Sequence, residues 1–481
     1  MCPNLVKQVV PMRILLLNQD WLAEELRELG HEVVTCGHKP TFQVQIPKRV
    51  VEITEVLARL PNFSPDVLLF LDDSMPALMV SGLDTCDIPS AFYSVDAHQH
   101  EELHPHFAAL FDHVFVAQKD YVPNFERSGT PTTWLPLWAP RYLEPAPFKK
   151  HSTAFVGTLD AQLNPRRVAF FRDLALRVPI HVSTGAYWDV FPFSQIVVNQ
   201  TVKGDLNFRV FEAMMCGALL LTEKTSNGLL DLFKEGTHLI TYQADSVEQV
   251  VEIVQSLREN PQRLAELARA GREEVITRHT GMHRARELDR VLRTLTKQPR
   301  YARRHYISMV NNAVINTLLV KAQKEQCYHA ALSAMTAAEA GLQRDLAPSE
   351  VETMHLIATC TVFDQLTSTD TGARLIRRFH ERHPSNTLLT LARIHTLLRT
   401  GDRTTALSVA SSCFQVPPEQ TCVLAQQIVP QIARGEIQPF ALNEIRYRIL
   451  TCAPDGSWSV AELFGDENFL IIRPSLTTTP L

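Results

Sequence analysis

Two successive series of short apolar runs, each run separated from the next by a helical pattern, restrict this chain to parallel sheets buried on both faces by helices. In the first series the runs cover residues 12–18 (MRILLLN), 32–35, 66–71 (DVLLFL), 91–95, 113–117 and 133–137. Between the first two, Asp20 is placed to cap a helix that carries Trp21, Leu22, Leu26 and Leu29 on one face, and Gly30 is placed to end it. Prolines at Pro136, Pro140, Pro145 and Pro147 then make a connector too stiff and broken for helix or central strand. A second series follows at residues 152–156, 180–183, 196–198, 218–222 and 238–242. Asp245 with Glu248 reads as a capping box opening a helical stretch that runs to about Thr296.

The expected fold class is therefore α/β, with two Rossmann-like doubly wound domains facing a cleft. The first takes residues 1–140 and the second residues 150–298. Ligands of such sheets bind beyond the carboxyl ends of the strands. There the first series collects Asn18, Asp72 and Asp73, Asp96 with His98, and Gln118. Beyond Arg300 the strand signal stops and helical pairs take over, so residues 300–455 are expected to form an all-α domain, with residues 456–481 as a tail. Ala331, Ala373 and Ala406 recur in similar surroundings at a spacing that brackets the period of about 34 residues of tetratricopeptide repeats. The clearest copy is residues 400–418, with a Gly-Asp turn, small Ala406 and Ala410, and a closing proline; an irregular helical bundle is the alternative.

A chain of 481 residues exceeds one ordinary core, and 45% hydrophobic with 21% charged residues at net charge −5 is a soluble composition without the basic excess of a nucleic-acid binder. None of the nine cysteines forms a CxxC pair, which suits a reducing compartment and a cytoplasmic location. The first residues carry no secretory cleavage pattern, and the longest apolar run, residues 213–221, falls well short of the roughly 20 residues of a transmembrane helix.

The most informative segment is residues 197–233 (VVNQTVKGDLNFRVFEAMMCGALLLTEKTSNGLLDLF). Asp205 or Asn207 can cap a helix bearing Phe208, Phe211 and Met215, Gly217 ends it, and a buried strand follows at once. A helix N-terminus facing a cleft offers unpaired N–H groups to a diphosphate, and Arg209 adds a fixed charge. Glu212, within that helix, can accept hydrogen bonds from two neighbouring hydroxyls such as those of a ribose.

With its continuation through residues 228–242, this segment resembles the donor domain of CgeB-like glycosyltransferases, the spore-maturation-protein type, a bacterial group of GT-B enzymes. Residues 154–174 (AFVGTLDAQLNPRRVAFFRDL) and 271–292 (GREEVITRHTGMHRARELDRVL) are similar to the same group, Gly157 standing as the glycine after the first strand. The resemblance implies a two-domain GT-B fold, a nucleotide-diphosphate sugar as donor substrate, and Glu212 as the ribose-binding glutamate. Donor contacts are then expected from Gly157, Arg166, Arg167, Lys203, Asn207, Arg209 and Glu212. Many retaining GT-B enzymes carry another glutamate eight positions earlier; this sequence has Gly204 there, with Asp205 beside it. Cations at the diphosphate make a metal unnecessary, so no cofactor is expected.

A second polar segment, residues 93–107, places Asp96 and four histidines (His98, His100, His104, His106) after a strand. Asp96 and His98 are the candidate catalytic groups on the acceptor side, where an imidazole suits deprotonation of a hydroxyl. A metal site and a solvated loop are the alternatives, and Pro105 interrupts the one-turn spacing of His100 and His104. Asp72 and Asp73 read as a strand-end cap without a catalytic role. The functional expectation is sugar transfer to an unidentified acceptor, a protein or a cell-surface glycan, with a protein acceptor or partner met through the helical repeats. A nucleotide-sugar epimerase of the same fold and a scaffold with a decayed donor site are the competing readings.

Overall fold

The computed structural model describes residues 10–46, 50–72, 79–81, 83, 86–99, 104, 108, 110–126, 130–161, 164–298, 335, 338, 342, 347–348, 350–413 and 417–433. Both parallel sheets are present. In the first domain the strands are β1 (Arg13–Leu17), β2 (Glu32–Gly37), β3 (Val44–Gln45), β4 (Val50–Glu52), β5 (Val67–Leu71), β6 (Met79–Ser81), β7 (Ser90–Ser94), β8 (His113–Val116) and β9 (Thr132–Trp134). Seven of them form one sheet in the order β3-β2-β1-β5-β7-β8-β9, while β4 and β6 pair separately. Their side chains are buried on both faces, which is why the runs read as continuous apolar stretches rather than alternating ones. The second domain holds β10 (His151–Val156), β11 (His181–Ser183), β12 (Ser194–Asn199), β13 (Leu219–Glu223) and β14 (Ile240–Tyr242) in the order β11-β10-β12-β13-β14. This is the two-domain α/β layout expected of GT-B.

Each sheet has one place where strand order reverses, between β1 and β5 in the first and between β10 and β12 in the second. Crevices open at such points beyond the strand ends. At the first, Asn18 takes a left-handed backbone conformation (φ 75°) and its amide donates to the Leu71 carbonyl at 2.8 Å. At the second, Arg209 bridges Val156 and Asn199. Asp72 behaves as a strand-end cap: its buried carboxylate accepts from the Val95 and Asp96 N–H groups, both at 3.2 Å. Asp73 lies outside the described residues.

Two caps differ from the expected ones. Asp20 does not cap the first helix, Ala23–Glu28; Leu22 occupies the N-cap with φ 64°, and the Asp20 carboxylate pairs with Lys39 at 2.8 Å. At the helix Val247–Glu259 the cap is Ser246, whose hydroxyl accepts from Gln249 N–H. Asp245 there takes a left-handed conformation (φ 59°) and pairs with Arg166.

After the second sheet the chain returns to the first domain. The helix Gly281–Leu292 packs on the helix Ala23–Glu28, and the Gln298 N–H donates to Asp112 at 3.0 Å. Arg284 is fully buried at this crossing, donating to the Pro136 carbonyl at 2.7 Å and to Glu287 at 3.0 Å, so the proline connector is tied to the closing helix. Trp138 on the connector meets Phe208 of the second domain edge-on at 5.3 Å and Trp21 of the first at 6.3 Å.

The described C-terminal helices are Glu350–Thr367, Thr371–Arg382, Thr387–Arg399, Arg403–Cys413 and Pro418–Ala433. Gly401 takes a left-handed conformation (φ 84°) at the Gly-Asp pair, and Ala406 and Ala410 are buried. Helices pair in succession, but Pro418–Ala433 packs on both Thr387–Arg399 and Glu350–Thr367. An open solenoid lets each repeat touch only its neighbours; here the last helix closes on the first of the five. Ala331 and residues 434–481 lie outside the described residues.

Candidate active site

The crevice beyond β10 and β12 is spanned by one side chain. Arg209, in the helix Phe208–Met215, donates from Nε to the Val156 carbonyl at the end of β10 (2.9 Å) and from Nη1 to Asn199 at the end of β12 (2.6 Å). Its guanidinium lies 4.5 Å from the centre of the Phe155 ring. A β-carbon on Gly157 would collide with Arg209 Nη2, so only glycine lets the guanidinium reach this place. Burial and neighbouring Arg167 bring the Arg209 pKa down to about 10, which leaves it cationic at neutral pH.

The loop from Gln200 to Asn207 delivers that helix, and it is fastened along its length. Glu223, buried at the end of β13, accepts from Thr201 N–H (2.8 Å) and Oγ1 (2.5 Å). Arg167 holds Gln200 through both its side chain (3.1 Å) and carbonyl (2.9 Å). Asp205 accepts from Val202 N–H at 2.6 Å, and Thr225 donates to the Gly204 carbonyl at 2.6 Å. From the first domain, Gln118 accepts from Leu206 N–H at 2.8 Å and from Asn227 Nδ2 at 2.5 Å. The helix N-terminus is therefore pre-positioned before any ligand arrives, as anion stabilisation requires.

Several polar groups in this region lack partners among the described residues. Asn207 occupies the N-cap without a side-chain capping bond, and its Oδ1 is buried and unpaired. Ser183 Oγ, at the end of β11 beside the Gly157 N–H contact, and Tyr187 Oη are in the same condition. Glu212 is half-buried, one helical turn beyond Arg209; burial raises its carboxyl to about 7 against the lowering pull of Arg209. Its charge in turn adds to the burial that raises the Tyr187 phenol. Buried polar atoms are normally satisfied, and these stand as exceptions.

The other expected donor residues divide. Lys203 (φ 53°) is exposed and its Nζ donates to the His98 carbonyl at 3.3 Å, joining the loop before the helix Phe208–Met215 to the first domain. Arg167 is buried and engaged with Gln200, so it braces the loop. Arg166 pairs with Asp245 in an exposed groove of about 540 Å³ between helices Pro165–Ala175 and Val247–Glu259.

In the first domain, His98 is buried to 1% exposure with both ring nitrogens unpaired among the described residues. Asp96 is half-buried, its backbone held by Asp72. His100 and His106 lie outside the described residues. His104 Nδ1 is 2.8 Å from Ser94 Oγ, away from any grouping of metal ligands; among the described residues no set of three or more His, Cys, Asp or Glu side chains stands ready for a metal. Sequence reasoning missed Ser183, Tyr187 and Asn199. Ser183 and Asn199 end strands that the apolar runs had located, whereas Tyr187 sits in a 3₁₀ turn with no sequence signal.

No curated protein matches the sequence. Among solved structures the chain is similar to Anabaena Alr3699/HepE in complex with UDP-glucose, at 10% identity over 59% of this chain and 100% of that one, with a TM-score of 0.44. It is also similar to a glycosyltransferase from Rickettsia africae ESF-5 (8% identity, 60% and 99% coverage, TM-score 0.44). A third is sucrose-phosphate synthase (tll1590) from Thermosynechococcus elongatus (11% identity, 59% and 98% coverage, TM-score 0.43). Residues 151–290, the stretch that contains Gly157, the fastened loop, Arg209 and Glu212, match the model of the glycosyl transferase-like family.

Proposed function

We propose that this protein transfers a sugar from a nucleotide-diphosphate sugar to an acceptor presented by the first domain. The observation that carries the reading is Glu212, a half-buried carboxylate without a hydrogen-bond partner among the described residues, one turn beyond an arginine that spans the crevice. A ribose supplies two adjacent hydroxyl donors for that carboxylate. The diphosphate then lies toward the N-terminus of the helix Phe208–Met215, with Arg209, which Gly157 leaves room for, and Lys203 as cations. Ser183 and Tyr187 stand nearby for the base.

In the reaction the bond between the anomeric carbon and the diphosphate oxygen breaks, and the acceptor oxygen forms the new bond. The charge that develops on the diphosphate meets fixed dipoles and Arg209. The acceptor proton passes to His98 or Asp96, the titratable groups carried on the segment that Lys203 contacts. The proposal includes hexosyl transfer without a metal, a CgeB-like relationship, a cytoplasmic setting, and a protein acceptor or partner met through the helical region. No described helix is long and apolar enough to cross a membrane.

The test is incubation with a panel of nucleotide sugars, followed by mass spectrometry of nucleotide and sugar. Release of nucleoside diphosphate with sugar in water or acceptor supports transfer. An isomerised donor points to an epimerase, and tight nucleotide binding without turnover points to a scaffold.

A further inference from the structure

The helical region holds a pocket of about 360 Å³, at the small end of ligand pockets. Its walls come from Glu350–Thr367, Thr387–Arg399 and Pro418–Ala433, the helices that the closing contact brings together. Val362 of the first and Ala433 of the last are buried and apolar, and Pro430 adds a half-buried ring. Thr361 spends its hydroxyl proton on the Ile357 carbonyl at 2.7 Å, so it brings no free donor. This part of the lining is largely hydrocarbon.

The remainder carries unspent donors. Arg399 gives only Nη2 to Asp364, at 3.2 Å, and its Nε and Nη1 have no partner among the described residues. Asp364 does not use up that charge alone: its buried carboxylate also accepts from the Gly372 and Ala373 N–H groups at the start of a helix (2.7 and 3.0 Å). His395, one turn before Arg399 on the same helix, makes no hydrogen bond among the described residues. Burial and then Arg399 hold its imidazole below the ordinary pKa, so at neutral pH the ring is uncharged and one nitrogen donates. The exposed Gln365 amide is unpaired among the described residues too.

The lining selects a ligand class. A cation meets the guanidinium, and a wholly apolar molecule takes water from Arg399 and His395 without replacing its hydrogen bonds. A dianion such as a phosphate monoester finds one cation beside a neutral imidazole, and a bare inorganic ion leaves the apolar wall uncovered. A single carboxylate accepts a charge-assisted hydrogen bond from Arg399 and a second from His395, while an apolar body attached to it covers Val362, Pro430 and Ala433. We propose that this pocket binds a small free organic acid, one carboxylate on a compact apolar body. The ligand touches three helices at once and so strengthens the closure of the last helix on the first of the five.

Benzoate, isovalerate and phenylacetate are titrated into the full chain by calorimetry and saturation-transfer NMR, beside the corresponding amides, inorganic phosphate and an acetylated tetrapeptide with a free C-terminal leucine. At least one acid is expected to bind with a Kd on the order of millimolar or tighter, and its amide about tenfold more weakly or worse. This comparison uses the parent chain alone, so it does not depend on the folding of any variant. Arg399→Gln removes the cation while Asp364 keeps its two backbone donors, and His395→Phe removes the second donor. Each is expected to weaken acid binding about tenfold or more, with a melting temperature close to the parent's. Absence of binding for all three acids, amides or phosphate that bind as tightly as the acids, or acid binding that survives both substitutions overturns the proposal. A tetrapeptide that binds more tightly than every free acid overturns it as well, because the carboxylate then belongs to a protein terminus.

Discussion

The Arg209 guanidinium occupies the space that a side chain on Gly157 would need. The glycine and the arginine are 52 positions apart in sequence and meet at the strand-order reversal between β10 and β12, where the guanidinium sits between Val156 and Asn199. Gly157→Val is expected to displace Arg209 from the crevice and weaken nucleoside diphosphate binding about tenfold or more, since a charge-assisted contact to phosphate is worth about 1.5–3 kcal/mol. Calorimetric titration checks this, with circular dichroism showing that the fold is kept.

Binding is expected to depend on pH through Glu212. Its carboxyl is raised to about 7, chiefly by burial, and two ribose hydroxyl donors favour the ionised form. Nucleotide affinity therefore rises from pH 6 to pH 8, and binding near pH 7 releases protons. Calorimetry in two buffers of different ionisation enthalpy measures the release directly.

The same group affects stability in the opposite sense. The folded pKa is raised above the ordinary glutamate value of about 4.5, so the folded state holds more protons than the unfolded one between about 4.5 and 7. Stability from this group falls as pH rises through that window and levels off above it, by up to about 3 kcal/mol. Glu212→Gln is expected to be more stable than the parent at pH 8 and equal to it at pH 4.5, as read by denaturant unfolding.

Gln118 ties the first domain to the loop before the helix Phe208–Met215 through Leu206 N–H and to Asn227. Gln118→Leu leaves a buried backbone donor unsatisfied, at a cost of about 1–3 kcal/mol. The loop then loses its fixed position, and nucleotide affinity is expected to fall together with the melting temperature.

In the helical region Asp364 is buried and accepts from the Gly372 N–H (2.7 Å) and Ala373 N–H (3.0 Å), and it also meets Arg399 at 3.2 Å. Asp364→Ala removes the cap of the helix Thr371–Arg382 and leaves those donors buried. A loss of about 2–4 kcal/mol is expected, with nucleotide binding unchanged; thermal unfolding and calorimetry together read the two effects.

The sheets were legible in the sequence because strands buried on both faces are continuous apolar runs, as residues 67–71 and 219–222 illustrate. The short pair β4 and β6 was not, since three-residue strands carry too little pattern. Asn207 was readable as a helix cap from residue type and position, and Gly217 as the helix stop, with φ 68°. Asp20 and Asp245 misled for one reason. An aspartate before a helix is also a good ion-pair partner, and Lys39 and Arg166, distant in sequence, take those carboxylates. The roles of Arg167 and Gln118 depended on where the loop after β12 would pass, which no local pattern encodes.

The central claim is that Glu212 holds the ribose of a nucleotide. Nucleoside diphosphates titrated into the parent and Glu212→Ala at pH 8 test it most directly. The account predicts binding by the parent and a loss of about 1–3 kcal/mol, roughly 5- to 150-fold, in a variant whose melting temperature is not lowered. Equal affinity in the two proteins, with the variant folded, contradicts it.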